Sequence, residues 1–196
     1  MRAQAHTLEA TVASLLLLAS LIFALQITAV TPLSASTSSQ HIENQQQATA
    51  QGVLAAASDA DALKPAILYW NNGTAQFHNV GVQSYYTSGP PDTEFGDMLE
   101  RSFNDRGIAY NVYFRFQNTN GESITRRYIY SGVPSDNAVR ATHTVVLSDN
   151  ASLFDTDETP NETTISGPNV TYPIPDTDID GRLYNTVRVE VVAWRI

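Results

Sequence analysis

The sequence predicts an α+β protein: a long N-terminal membrane-spanning helix followed by a mostly antiparallel β-sheet head domain with one or two short helices. Three observations predict this. The run Ala10 to Val30 carries no charged residue. The segment Gln40 to Leu63 is rich in Ala and Gln and holds no proline. Beyond Pro65, short apolar or alternating runs are separated by Asn-Gly and Pro-rich turn signals. The expected divisions are 1–31 for the N-terminal segment, 32–64 for a helical stalk and 65–196 for the head.

The uncharged run comes first. As a helix it spans roughly 30 Å, the thickness of a bilayer's hydrocarbon core. Its polar members Thr11, Ser14, Ser20, Gln26 and Thr28 can bond to the helix backbone or to a neighbouring helix. A cleaved secretory signal is the weaker reading, because its apolar core is normally about 7–15 residues. Pro32 is expected to end or kink the helix. The positions Ala50, Val53, Leu54, Ala57 and Ala60 fall on one helical stripe suited to packing. Pro65 is expected to close that helix.

In the head, Ala66 to Trp70 is expected as a short strand. Asn71-Asn72-Gly73 reads as a turn, and Ala75 to Val80 as the returning strand. Asp92 or Thr93 is expected to cap a helix running to about Asp105, with Gly107 at its C-terminal end. Phe95, Met98, Leu99 and Phe103 give that helix one apolar face. Ile108 to Gln117 alternates most clearly, with Ile108, Tyr110, Val112, Phe114 and Phe116 on one face. Ser123 to Ser131 is its hairpin partner. A two-residue Asn120-Gly121 loop would set Phe114 opposite Arg127. A three-residue loop, Thr119 to Gly121 with Gly121 left-handed, aligns Ile124, Tyr128 and Tyr130 with the Phe face and leaves Arg126 as the misfit. The three-residue loop is favoured. Ala138 to Leu147 is a further strand. Asp149 to Asn185 is expected as a long acidic loop, and Thr186 to Ile196 as the last strand, with Val187, Val189, Val191 and Ala193 on one face.

Composition narrows the function. Twenty acidic residues stand against eleven basic ones, of which only Lys64 is lysine, and the net charge is −9. That acidity excludes nucleic acid as a predicted partner, because phosphate binding needs clustered positive charge. Acid excess with almost no lysine is the balance expected at high salt, as in a halophilic archaeon. There is no cysteine, hence no disulfide and no thiolate chemistry. Arg2 precedes the apolar run and no basic residue follows it until Lys64, which places the N-terminus in the cytoplasm and the head outside. Four Asn-x-Ser/Thr sequons, at Asn72, Asn150, Asn161 and Asn169, agree with a glycosylated exterior.

The N-terminal residues carry a family resemblance. Arg2-Ala3-Gln4, then a short polar segment with Glu9, then the apolar run, resembles the class III signal of archaeal type IV prepilins. Thr7-Leu8-Glu9 is similar to the Thr-Leu-x-Glu ending of pilin N-termini. The resemblance implies cleavage by a prepilin peptidase between Ala3 and Gln4, with Arg2, Ala3 and Gln4 as the processing residues. The helix then stays in the mature chain. It also implies that Glu9 pairs with the free amine of an adjacent subunit during assembly, although Glu9 would be the sixth mature residue where many pilins carry the acid fifth. The plainer reading of Glu9 is an acid favourable at a helix N-terminus.

Little else points to chemistry. Asp176-x-Asp178-x-Asp180-Gly181 matches the first half of a calcium loop, but Val187 stands where the closing Glu belongs. Ca²⁺ is the one cofactor reading, set against an acidic surface turn. The histidines His6, His41, His78 and His143 are scattered without zinc spacing. Arg126 and Arg127 point to opposite faces. Tyr85, Tyr86 and the hairpin tyrosines offer either an adhesive aromatic surface or ordinary sheet packing. No catalytic motif appears, and no enzyme is predicted. The expected function is a pilin-like structural subunit or minor pilin, with the membrane and other pilin-like subunits as partners. The alternative is a monomeric anchored binding or adhesion module at the cell surface.

Overall fold

A computed structural model of the chain describes residues 2–195. The chain divides into two compact units, residues 1–44 and 45–196. Helix α1, Arg2–Asp59, supplies the first unit and enters the second. Pro32 does not end it. Proline's missing N–H costs the helix one backbone bond, and the helix is carried past it by the Leu- and Ala-rich run before it and the Ala- and Gln-rich segment Gln40 to Leu63 after it.

In the first unit the run His6–Gln26 is long and apolar enough to cross a membrane, a test that a signal sequence near the N-terminus also passes. None of it is buried within the chain, and Leu17 is 71% exposed. Thr11 donates to the Thr7 carbonyl at 2.6 Å and Ser20 to the Leu17 carbonyl at 2.9 Å, while Ser14 donates to the Ala10 carbonyl. These hydroxyls are satisfied on their own helix.

In the second unit α1 ends in a tight left-handed turn. Asp61 has φ 55°, the Ala62 N–H reaches the Ala57 carbonyl at 2.8 Å, and the Asp61 N–H reaches Ser58 at 3.1 Å. This is the paired 6→1 and 5→2 bonding of a Schellman cap, made here with Asp instead of Gly. Helix α2, Leu63–Leu68, follows at once, so the strand expected at Ala66 to Trp70 is mostly helix. Pro65 does not stop it. It occupies the first turn, where an N–H has no helical partner anyway. Strand character begins only with β1, Trp70–Asn71, paired to β2, Gln76–Phe77.

Helix α3, Glu94–Phe103, is capped by Thr93, whose hydroxyl accepts the Gly96 N–H at 3.0 Å. A 3₁₀ turn, Asn104–Arg106, ends at Gly107 with φ 65°, the left-handed position expected of that glycine. The main sheet contains β3 Ile108–Gln117, β4 Ser123–Tyr130, β5 Val139–Ser148 and β8 Leu183–Arg195, in the order β4-β3-β8-β5 and antiparallel throughout. The remaining strands, β6 Ser152–Phe154 and β7 Pro160–Thr164, form a small hairpin.

One sheet face forms the core. Val187, Val189, Val191 and Ala193 of β8 are fully buried beside Tyr110, Val112 and Phe114 of β3. Ala50, Val53, Leu54 and Ala57 of α1 join the same cluster with Phe95, Leu99 and Phe103 of α3. Ala60, the last residue of the expected stripe, is exposed, because the cap at Asp61 has already turned the chain away. The edges of the sheet are partly covered. Gln47 donates to the Arg140 carbonyl at 2.7 Å on β5, and Tyr86 exchanges backbone bonds with Tyr128 and Tyr130 on β4.

The β3–β4 hairpin has the three-residue loop, with Gly121 at φ 80° and Gln117 opposite Ser123. A bulge between Val112 and Tyr113 then shifts the register. Tyr128 stays in the core, stacked on Phe114 at 4.5 Å, but Ile129 becomes the partner of Val112 and Tyr130 moves to the opposite face. The expected placement of Tyr130 is therefore corrected. Arg126 faces inward and stays there because its guanidinium lies over Trp70 at 5.1 Å and Phe77 at 5.8 Å. Burial lowers its pKa from the ordinary arginine value, against a raising effect of Tyr172.

The segment Asp149 to Asn185 is not the open loop expected. Besides the β6–β7 hairpin, it is pinned to the core unit by side chains. Trp70 Nε1 donates to the Thr171 carbonyl at 2.7 Å, Tyr172 Oη to Ile67 at 2.9 Å, and Tyr184 Oη to Ile174 at 2.9 Å. Burial pushes the Tyr184 phenol up to about 12, with Asp176 and Asp149 adding to the shift. These rings keep their protons and act as donors.

Candidate functional site

Two features of this chain are unlike an ordinary core: the bare apolar helix and the outer face of the main sheet. The helix run His6–Gln26 presents Leu8, Leu15, Leu17, Leu21 and Phe23 outward, with none of them buried by the described residues. Glu9, at its edge, is 82% exposed and lies 3.9 Å from His6 Nδ1. The side chains of Arg2, Ala3 and Gln4 lie outside the described residues; their backbone is part of α1.

The sheet face opposite the core is rich in arginine. In register across the strands, Thr125, Arg115, Arg188 and Thr144 form one row. The next row is Arg127, Tyr113, Glu190 and Thr142. Glu190 is buried and holds two arginines. Arg115 Nε contacts its Oε2, and Arg140 Nε lies 3.9 Å from Oε1. Arg127 instead lies over the Tyr130 ring at 4.2 Å and the Tyr85 ring at 5.5 Å. The exposed side chain of Arg188 has neither an ion pair nor a hydrogen bond among the described residues.

The ladder between β3 and β8 stops at Arg115 opposite Arg188, although both strands continue beyond that point. A hollow opens there, lined by Arg115, Arg188, Ser123, Thr144, Thr186 and Gln117. Below it, Asn185 Nδ2 reaches the Gln117 and Pro175 carbonyls at 2.9 and 2.8 Å. At the other end of the face, buried Asn111 holds the link from β4 to β5. Its amide donates to Gly132 O at 2.8 Å, and its oxygen accepts the Ser131 N–H at 2.8 Å. Val192, directly opposite Asn111, and Trp194 are buried on this face as well.

The tyrosines named from the sequence are divided between the two faces. Tyr86 and Tyr128 are core residues, and Tyr86 donates to the His78 carbonyl at 2.6 Å. Tyr85 and Tyr130 stand together on the outer face, 6.0 Å apart edge to face.

The sequons all lie in the second unit. Asn150 and Asn169 are exposed, and Asn169 has φ 66°. Asn72 is half-buried and ties two segments together, accepting the Thr171 N–H at 2.7 Å and donating to Asn169 O at 3.3 Å. Asn161 donates to Asp155 at 3.0 Å and accepts the Thr163 N–H at 2.8 Å.

The acidic turn is organised by its own backbone. Asp176 Oδ1 accepts the Asp178 N–H at 2.8 Å, and the Asp178 carboxylate lies against Gly181, where any Cβ would collide with it. Asp178 and Asp180 are exposed. Among the described residues no group of three or more His, Cys, Asp or Glu is placed to hold a metal ion.

A family model described as a family of unknown function, DUF7288, matches residues 2–193. The chain belongs to this family. The match takes in helix α1 and the sheet together, so the two units form one family unit of sequence. No curated protein and no solved structure matches the chain.

The arginine face was missed in the sequence. The signal for it was present in β8, where Arg188 and Glu190 alternate with the buried valines. Its pairing with Arg115 needs the β3–β8 register, and that joins strands about seventy residues apart.

Proposed function

We propose that this DUF7288 chain is a pilin-like structural subunit, or minor pilin, of an archaeal type IV pilus-like surface filament. In this reading it is inserted by α1, with the N-terminus in the cytoplasm and the sheet unit outside. One observation carries the reading: an uncharged run with outward leucines lies on the same helix that supplies Ala50, Val53, Leu54 and Ala57 to the core of the sheet unit. A run of exposed leucine is costly in water at about 25 cal/mol per Å² of apolar surface. It needs lipid or the helices of other subunits as its cover, and packing between such helices supplies assembly. The order Arg2-Ala3-Gln4 and the exposed Glu9 then have roles. The first is read by a prepilin peptidase, and the second meets the new amino terminus of a neighbour. A free carboxylate is expensive inside a membrane, so pairing favours the assembled state. The role is structural, without a catalytic step, and the sequons fall in the unit placed outside.

Shearing surface filaments from cells and probing for the chain tests this proposal. A subunit co-purifies with the filaments. A chain that stays wholly with the membranes as a monomer would overturn the subunit role and leave an isolated anchored module.

A further inference from the structure

From the outer face of the main sheet we infer an oxyanion-binding site in the hollow where β3 and β8 part. Three observations meet there. First, Arg115 and Arg188 are directly opposite each other on paired strands. Like charges in that position repel and destabilise a sheet, so the arrangement needs a compensating negative charge. Second, Glu190, the one buried acid on this face among the described residues, is already engaged by Arg115 and Arg140. Arg188 has no counter-ion among the described residues, in a chain of net charge −9 whose acids would be expected to supply one. Third, the hollow, apart from Phe116, is lined by residues that can donate: Arg115 and Arg188, the hydroxyl residues Ser123, Thr144 and Thr186, and Gln117. No Asp or Glu lines it.

Such a set fits a small group with at least two acceptor oxygens, a sulfate, phosphate or carboxylate. Guanidinium forks bind such groups in two-point fashion, and charge-assisted bonds of this kind are the stronger ones. Arg115 is held in place from the side by Glu190, so it needs little ordering on binding. Arg188 is the recruiting cation. The inference does not depend on the filament reading, since it concerns the sheet unit alone.

The test uses the full chain in a non-ionic detergent, at constant ionic strength. The arginine Nε–Hε signals are followed by NMR while sodium sulfate or sodium acetate is added. A methyl hexuronide, a carboxylate carried on a sugar, forms a third arm. Saturable shifts confined to Arg188 and Arg115 are expected. Acetate and hexuronide binding equally identifies a free ion as sufficient; tighter hexuronide binding identifies a group carried on a sugar that also meets the hydroxyls. Arg188→Gln, an exposed substitution that leaves the Glu190 pair intact, should weaken binding about tenfold or more, the loss expected for one charge-assisted bond. Arg101→Gln, on α3, should leave it unchanged. Equal drift of every arginine signal without saturation would overturn the site. So would full binding by the Arg188→Gln variant, or an equal loss in Arg101→Gln.

Discussion

Leu54 and Leu15 lie on the same helix but differ in their energetics. Leu54 is 2% exposed and joins the core cluster of the sheet unit; Leu15 is 69% exposed. Truncating a fully buried leucine removes its transfer energy and leaves a cavity, a cost of roughly 2–5 kcal/mol. For a unit of this size each kcal/mol moves the midpoint by about 2–4 °C. Leu54→Ala should therefore lower the melting temperature of the sheet unit by roughly 4–20 °C. Leu15→Ala should leave it unchanged. Tryptophan fluorescence is the natural assay, because the chain's two tryptophans, Trp70 and Trp194, are both buried in that unit. The measurement is made in detergent, so that the apolar run is covered throughout. A Leu54→Ala shift below about 2 °C would mean that α1 is not part of the core. An equal shift for Leu15→Ala would mean that the two units do not melt separately.

Asn111→Ala should destabilise the sheet unit by roughly 2–4 kcal/mol, the sum of three lost bonds to Tyr113, Gly132 and Ser131; a urea midpoint close to that of the unaltered chain would show that Asn111 does not hold the β4–β5 link. Glu158 predicts a pH dependence. Burial raises its carboxyl pKa, opposed by the Glu94 N–H it accepts and reinforced by the Glu94, Asp97 and Asp92 charges. The folded state therefore holds the proton more tightly than the unfolded chain, so its contribution is greatest below the ordinary glutamate range and is lost as pH rises through the raised value. Glu158→Gln keeps a neutral acceptor there, so its stability relative to the unaltered chain should increase from acidic to neutral pH; parallel pH profiles would refute this.

How much was legible in the sequence depends on the range of the deciding contact. The strand Ile108–Gln117 and the cap pair Thr93 and Gly107 were readable because their signals are local: alternation, a hydroxyl before the first turn, a glycine after the last. Asn120-Gly121 located the hairpin turn, but the choice of the three-residue loop rested on matching Ile124 and Tyr128 to the Phe face across the two strands. The bulge at Val112 was not legible, because no local turn or alternation signal marks it and the Tyr128–Phe114 stacking and Tyr86 pairing that accompany it join distant segments. Helix α2 was not legible at Pro65, because the meaning of a proline depends on whether it lies in the first turn of a helix or in its interior. The folded-down segment from Asp149 to Asn185 is polar and acidic, and its anchors are single side-chain bonds from Trp70, Tyr172 and Tyr184 that no periodicity records. Of the features in the first unit, the apolar run was visible from hydropathy, whereas Glu9 was singled out only by the resemblance of Thr7-Leu8-Glu9 to pilin N-termini. The arginine row required the pairing of β3 with the last strand.

The central claim is that the apolar helix stays in the mature chain after a short leader is removed, and the mature N-terminus tests it most directly. Intact mass, with N-terminal peptides identified after blocking free amines, distinguishes the outcomes, allowing for pyroglutamate or methylation at Gln4. The account predicts a chain that begins at Gln4, with Arg2→Glu leaving the precursor uncut and Glu9→Ala cut normally but lost from filaments. A mature chain that keeps Met1, or one that begins beyond Pro32, would contradict it.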